Sequence, residues 1–206
     1  MSAIETRERL LSTALELIWQ SNYSSVGVNE ICKQAGVTKG GFYHHFESKA
    51  QLFCEATDYY WKSVKKDFDA LFSPSNSSLE QLENVLAFIL RTKLDEENDD
   101  IPGCAFFSAG TQCGNNEEKI QEALREMSNA SVRYNLSLVR ALAGDGYLED
   151  NVDHERAARY MHQYIQGVLI YGKVHRNLPL VRDDLPEAVY RLLGLKREYW
   201  FSAKPT

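Results

Sequence analysis

Along nearly the whole chain the apolar residues recur every three or four positions, and nowhere do they alternate as a half-buried strand requires. Leu10, Leu11, Ala14, Leu15 and Ile18 fall at i, i+4, i+7 and i+8 spacings, which predicts an amphipathic first helix. Ser2 and Glu5 form a capping box for it, and Asn22 marks its end. A short helix is predicted over Val28–Ala35, with Ile31 and Ala35 on one face. The tripeptide Ala35-Gly36-Val37 makes a tight turn, where Gly36 supplies a positive φ at low cost. Thr38 caps a second short helix running to Phe46, and Ser48 with Gln51 opens a long one from Lys49 to Phe72. After the break "SPSNSS", a Ser78/Gln81 box leads a helix over Leu79–Leu94. Further helices are predicted over Cys104–Cys113, Glu117–Ala143 and Asp153–Arg176. A last one, about 184–199, follows "DDLPE", with Asp184 and Glu187 capping and Pro186 in the first turn. The expectation is an all-α chain of about nine helices: a three-helix head over residues 1–48 and a helical bundle over 49–206.

Composition narrows the class. The 206 residues are 44% hydrophobic, enough for a substantial core, yet no apolar run approaches the ~18 residues of a membrane span. The first residues lack a basic segment followed by an apolar one, and the four cysteines show no CxxC pairing. These features predict a cytoplasmic chain with reduced thiols and no membrane partner. The net charge of −6 is uneven: residues 1–66 carry +1 and residues 67–206 carry −7. A near-neutral head can hold a small basic face while the acidic remainder turns away from DNA.

The run "TKGGFYHHFESKAQLF", Thr38 to Phe53, carries the chemistry. Gly40-Gly41 is no nucleotide-phosphate loop, since no strand precedes it and the GxxxxGK[ST] spacing is missing. Adjacent His44 and His45 diverge by about 100° on a helix, and no cysteine or carboxylate completes a ligand set, so neither metal nor cofactor is expected. Helix, glycine turn, helix reads as a helix-turn-helix. Ile31, Ala35, Val37, Phe42 and Phe46 would pack against Leu15 and Ile18. Thr38, Lys39, Gly41, His44 and Tyr43 would face outward, offering the donors that a helix in a major groove requires.

The segment "LLSTALELIWQSNYSSVGVNEICKQAGVTKGGFYHHFESKAQLF", Leu10 to Phe53, resembles the N-terminal DNA-binding domain of the TetR family of bacterial transcriptional regulators. The resemblance implies a homodimer that binds double-stranded operator DNA through its heads and a small-molecule effector through its C-terminal domain. Thr38, Lys39 and Gly40 match the start of the family's recognition helix, and Gly41 follows where Thr, Ser or Ala is common. Tyr43, His44 and Lys49 match phosphate contacts, while His45 and Phe46 match packing positions. Asn22-Tyr23 stands for the family's Gly-Tyr, and Val26-Gly27 for its Thr-Ser or Thr-Thr.

The stretch around Cys104 also resembles a NemR-like subgroup that responds to reactive electrophiles, which makes Cys104 a candidate sensor. A helix N-terminus would lower its thiol pKa, while Asp95, Glu96, Glu97, Asp99 and Asp100 oppose that. A small buried hydrophobe is the other reading of the same residue. A family-type pocket would draw on Tyr60, Phe88, Phe107, Gln112, Tyr134, His162 and Gln166. The last two long helices match the family's dimer interface, with Val168, Leu169, Leu185, Val189, Leu192 and Leu193 as buried candidates. These expectations describe a repressor that reads a pseudo-palindromic operator and is released by ligand or by thiol modification, not an enzyme. The competing readings are a thiol-dependent enzyme using Cys104 with His162 or His175, and a module whose head packs only on protein.

Overall fold

The computed structural model describes residues 3–20, 25–98, 100–104, 106–107 and 118–201. They form an all-α fold with eight named α-helices, a closing 3-10 turn and only isolated bridges. The helices are α1 (Ala3–Gln20), α2 (Val28–Ala35), α3 (Lys39–His45), α4 (Lys49–Leu71), α5 (Ser78–Lys93), α6 (Glu118–Gly144), α7 (His154–His175) and α8 (Leu178–Leu193). The further short helix expected over 104–113 falls largely outside the described residues, although Phe106 and Phe107 are helical. Ser2, Asn22 and Tyr23 also lie outside them.

The chain divides into two compact units, one of Met1–Lys65 with Ala105–Ser128, the other of Lys66–Cys104 with Asn129–Thr206. In the first unit, Leu10, Leu11, Ala14 and Leu17 of α1 meet Ile31, Cys32 and Ala35 of α2 and Phe42 and Phe46 at α3. Leu52 and Ala56 of α4 complete this core. Phe42 is fully buried, worth about 2–3 kcal/mol relative to exposure. Leu15, partly buried, packs against this core as the sequence suggested, and buried Ile18 lines a small cavity with Ala14, Val26, Ile31 and Leu52. A second cluster of rings forms around fully buried Phe106, whose centroid is 4.9 Å from Tyr60, 5.9 Å from Phe53 and 6.1 Å from Trp19.

The second unit is a bundle. Val181, Leu185, Val189 and Leu193 of α8 repeat every four residues and bury their stripe against Met161, Ile165 and Leu169 of α7. Leu82, Leu86 and Leu90 of α5 and Leu138 and Leu142 of α6 fill the other side. The corner between α7 and α8 is sharp: Arg176 sits at φ 49°, its N–H donates to Lys173, and the Asn177 N–H donates to Gly172. Asn177 then caps α8 by accepting from the Leu180 N–H at 3.0 Å.

Two element starts differ from the sequence reading. The capping box of α5 is Ser77 with Glu80, not Ser78 with Gln81. Ser78 is buried and donates to Asp145 at 2.6 Å, while Gln81 donates to the carbonyls of Ser73 and Asn76. The last helix begins at Leu178, so Pro186 lies inside it and is buried. Asn177 and Pro179 supply a cap and a first-turn proline one turn and more ahead of the acidic pair, and the four-residue stripe carries the helix through Pro186.

Candidate nucleic-acid interface

The geometry of the head is set by the turn. Gly36 adopts φ 61° and ψ 38°, the left-handed region. The Gly36 N–H donates to Lys33 and the Val37 N–H to Cys32 at 2.9 Å, a Schellman closure of α2. At the start of α2, Gly27 offers no side-chain cap. The Thr38 hydroxyl caps α3 by accepting from the Gly41 N–H at 3.1 Å, worth about 1 kcal/mol. The two short helices are thus fixed by backbone hydrogen bonds on one side of the turn and a side-chain cap on the other.

Burial splits α3 cleanly. Phe42 and Phe46 are buried, whereas Thr38, Lys39, Gly40, Tyr43 and His44 are exposed. Residues four apart lie one above the other, so Lys39 stands over Tyr43 and Gly40 over His44. Tyr43 holds its ring edge-on to Phe42, 5.1 Å between centroids at 83°, which steadies a side chain that is 55% exposed. His44 and His45 contact edge-on at 5.0 Å, and His45 is half-buried. No group of three or more metal-ligating side chains occurs among the described residues.

The two glycines part company. A Cβ on Gly41 would stand 2.8 Å from Val37 Cγ1 and 3.4 Å from Thr38 Oγ1, so the turn itself occupies the space of a side chain. At Gly40 the nearest atom would be Thr38 Oγ1 at 3.9 Å, an ordinary contact. Glycine at position 41 answers to packing within the head. At position 40 no such crowding demands it.

The cations sort in the same way. Arg7 pairs with Glu55 and lies over the Phe46 ring at 5.3 Å. Arg9 donates to the Gly36 carbonyl at 3.4 Å. Lys49 is half-buried, and its Nζ donates to the Val26 carbonyl at 3.1 Å, bracing the start of α4 against the segment before α2. The Ser48 hydroxyl accepts from the Gln51 N–H at 3.1 Å, as the expected box requires, while the Gln51 side chain accepts from the Glu47 N–H at 2.7 Å rather than from that of Ser48. Exposed Lys33 and Lys39, on either side of the turn, make no hydrogen bond or ion pair among the described residues. Lys33 escaped the sequence reading; the signal was its place in the last turn of α2, beside Gly36.

The other predicted site residues do not form one set. Tyr60 and half-buried Phe107 belong to the first unit, and Gln112 lies outside the described residues. In the second unit, Phe88 and Tyr134 both meet Phe68, at 6.2 and 5.2 Å, and the Tyr134 hydroxyl donates to Asp69 at 2.5 Å. His162 is buried, which lowers its pKa, and Gln166 is half-buried. Cys104 is half-buried; burial lowers the pKa of Lys93, and an electrostatic interaction with Cys104 acts against that. Of the dimer candidates, Val168, Leu169, Leu185, Val189 and Leu193 are consumed by the core of their own chain, and Leu192 is half-buried.

A short all-α head with a Schellman turn, a capped second helix and an outward Lys39–Tyr43–His44 face defines a helix-turn-helix DNA-binding class of protein. Residues 10–56 match the profile of the bacterial regulatory proteins of the tetR family. That N-terminal segment carries the DNA-binding domain of the family. It is 35% identical over 98 residues to the HTH-type transcriptional regulator AcrR of Shigella flexneri, a match spanning 46% of this chain and 45% of that protein. The similarity to the transcriptional regulator AcuR of Cereibacter sphaeroides is longer, 29% over 174 residues, spanning 81% of this chain and 76% of AcuR. Among solved structures, reduced Escherichia coli NemR shares the fold with a TM-score of 0.80 at 19% identity, covering 91% of this chain and 97% of NemR. No helix among the described residues is long and apolar enough to cross a membrane.

Proposed function

We propose that this chain is a dimeric regulator that binds a pseudo-palindromic operator through α3 and leaves it when its C-terminal domain takes up an effector. The observation that carries the reading is the two-sided α3, whose Phe42 flank is buried while Lys39, Gly40, Tyr43 and His44 face outward beside uncommitted Lys33. In this reading Thr38 orders the helix start, Lys39 and the Gly40 backbone approach the groove, and Tyr43, His44 and Lys33 meet phosphates. Lys49 serves as a brace through Val26. Selection of bound duplexes from a random DNA pool tests this directly. It should return two half-sites related by a dyad, with affinity falling steeply as salt rises. Recovery of sequences without a shared motif would refute it.

A second copy of the chain is the partner that α7 suits. Its exposed face carries Tyr160, Gly167, Ile170, Tyr171 and Val174, an apolar stripe at helical spacing, with Val174 74% exposed. The effector side rests on less: the half-buried Cys104 thiol near Lys93 supports an electrophile, and the rings of Phe88 and Tyr134 support an apolar ligand. Alkylating the protein and titrating operator distinguishes them. Loss of binding that disappears in Cys104→Ser supports the thiol; loss that persists in that variant removes it.

A further inference from the structure

The outward face of α3 has fewer readers than its length suggests. Phe42 is buried, Gly40 and Gly41 carry no side chain, and the Thr38 hydroxyl is engaged as the cap. Val37 already fills the space beside Gly41, so that position presents only backbone. The first turn of α3 therefore sends one long side chain outward, that of Lys39. Its ammonium makes no hydrogen bond or ion pair among the described residues, whereas the guanidinium groups of Arg7 and Arg9 and the ammonium of Lys49 each have a partner within the first unit.

We infer that Lys39 is the specificity-determining residue of the head, and that it selects a guanine in each half-site. The inference rests on the operator-binding reading above. A lysine ammonium only donates hydrogen bonds. In the major groove guanine presents two acceptors, N7 and O6, side by side. Adenine replaces one of them with an amino donor, which repels the ammonium, and cytosine presents a donor alone. In helix-turn-helix heads the N-terminal residues of the second helix are those that reach base edges. In the operator-binding reading Tyr43 and His44, one turn further on, meet phosphates. The base pair facing Gly40-Gly41 is touched only by main chain and goes unread by side chains.

The test uses the full-length protein and the duplex selected by the wild-type chain, with each base pair of one half-site changed in turn. Lys39→Ala should flatten the preference at a single guanine, a loss of roughly five- to hundredfold in discrimination, and leave the other positions unchanged. Lys39→Arg should keep the guanine preference, because arginine donates to the same two acceptors. If Lys39→Ala weakens all duplexes equally and lowers the salt slope of the dimer by about two, Lys39 is a phosphate contact and the inference fails. An unchanged profile in Lys39→Ala, or loss of the guanine preference in Lys39→Arg, also overturns it. Failure of the wild-type chain to select any motif would instead defeat the operator reading, a result distinct from these.

Discussion

Gly172 on α7 offers a direct measure of how tightly the second unit is built. Its position is buried, and an added Cβ would stand 2.3 Å from Val181 Cγ2 and 2.7 Å from Ile101 Cδ1. Carbon atoms prefer about 3.5–4.0 Å, so each neighbour must retreat by roughly an ångström. The Ile101 methyl ends a flexible side chain and can rotate. The Val181 methyl is held by a β-branched stem on α8, so that clash must be met by separating two helices. Overpacking of this kind costs about 1–3 kcal/mol, and the better helix propensity of alanine returns about 1 kcal/mol. With two contacts below 3.0 Å at once the upper half of that cost applies, so Gly172→Ala should destabilise by about 1–2 kcal/mol. Urea unfolding followed by circular dichroism, at one fixed protein concentration because association adds to apparent stability, gives the number. Val181→Ala removes the obstructing methyl, so the double variant should be more stable than the sum of the single losses by at least about 1 kcal/mol. A Gly172→Ala protein as stable as its parent, or losses that simply add, would refute the packing argument.

Four further outcomes are expected. Thr38→Ala removes the cap of α3 and should lower stability by about 1 kcal/mol, read in the same urea assay, whereas Thr38→Ser should lose far less. Lys49→Ala should lower stability by about 1 kcal/mol but leave the salt slope of operator binding intact, since its ammonium is spent on Val26; a flattened slope would restore it as a phosphate contact. Burial depresses the pKa of His162, so the unfolded chain takes up a proton there before the folded chain does. Its stabilising contribution is intact above the unfolded value of about 6.5 and is lost as pH falls below it, so His162→Gln should lose less stability than the parent between pH 7.5 and 5.5; equal losses would count against the assignment. Ile170→Glu with Val174→Glu places charge in the exposed stripe of α7 and should yield monomers in sedimentation, and a persistent dimer would move the interface elsewhere.

What the sequence disclosed depended on how local the physics was. The cap at Thr38, the turn at Gly36 and the extent of α2 each rest on a few adjacent residues, and each was legible. The start of α8 was misread because Asp184, Pro186 and Glu187 imitate a helix entry, while Asn177 and Pro179 had already made one. The α5 box slipped by one residue because Ser77 and Ser78 are chemically equivalent until burial draws Ser78 to Asp145. The dimer candidates Val168, Leu185 and Val189 were read from apolarity alone, which does not say whether a face meets its own chain or another. The commitments of Lys49 and Arg9 could not be read at all, since each reaches a backbone carbonyl more than 20 residues away in the chain.

The contact between Val37 and the empty side of Gly41 bears on how this head can acquire a new target. A mutation that simply adds a side chain to the middle of α3 drives it into the turn, so the innovation arrives together with a folding defect. The accessible order is the reverse: Val37 must shrink first, a change that alters no DNA contact, and only then does position 41 become a letter the helix can use. Divergence of specificity in this lineage would begin in the turn, with a substitution silent to every operator.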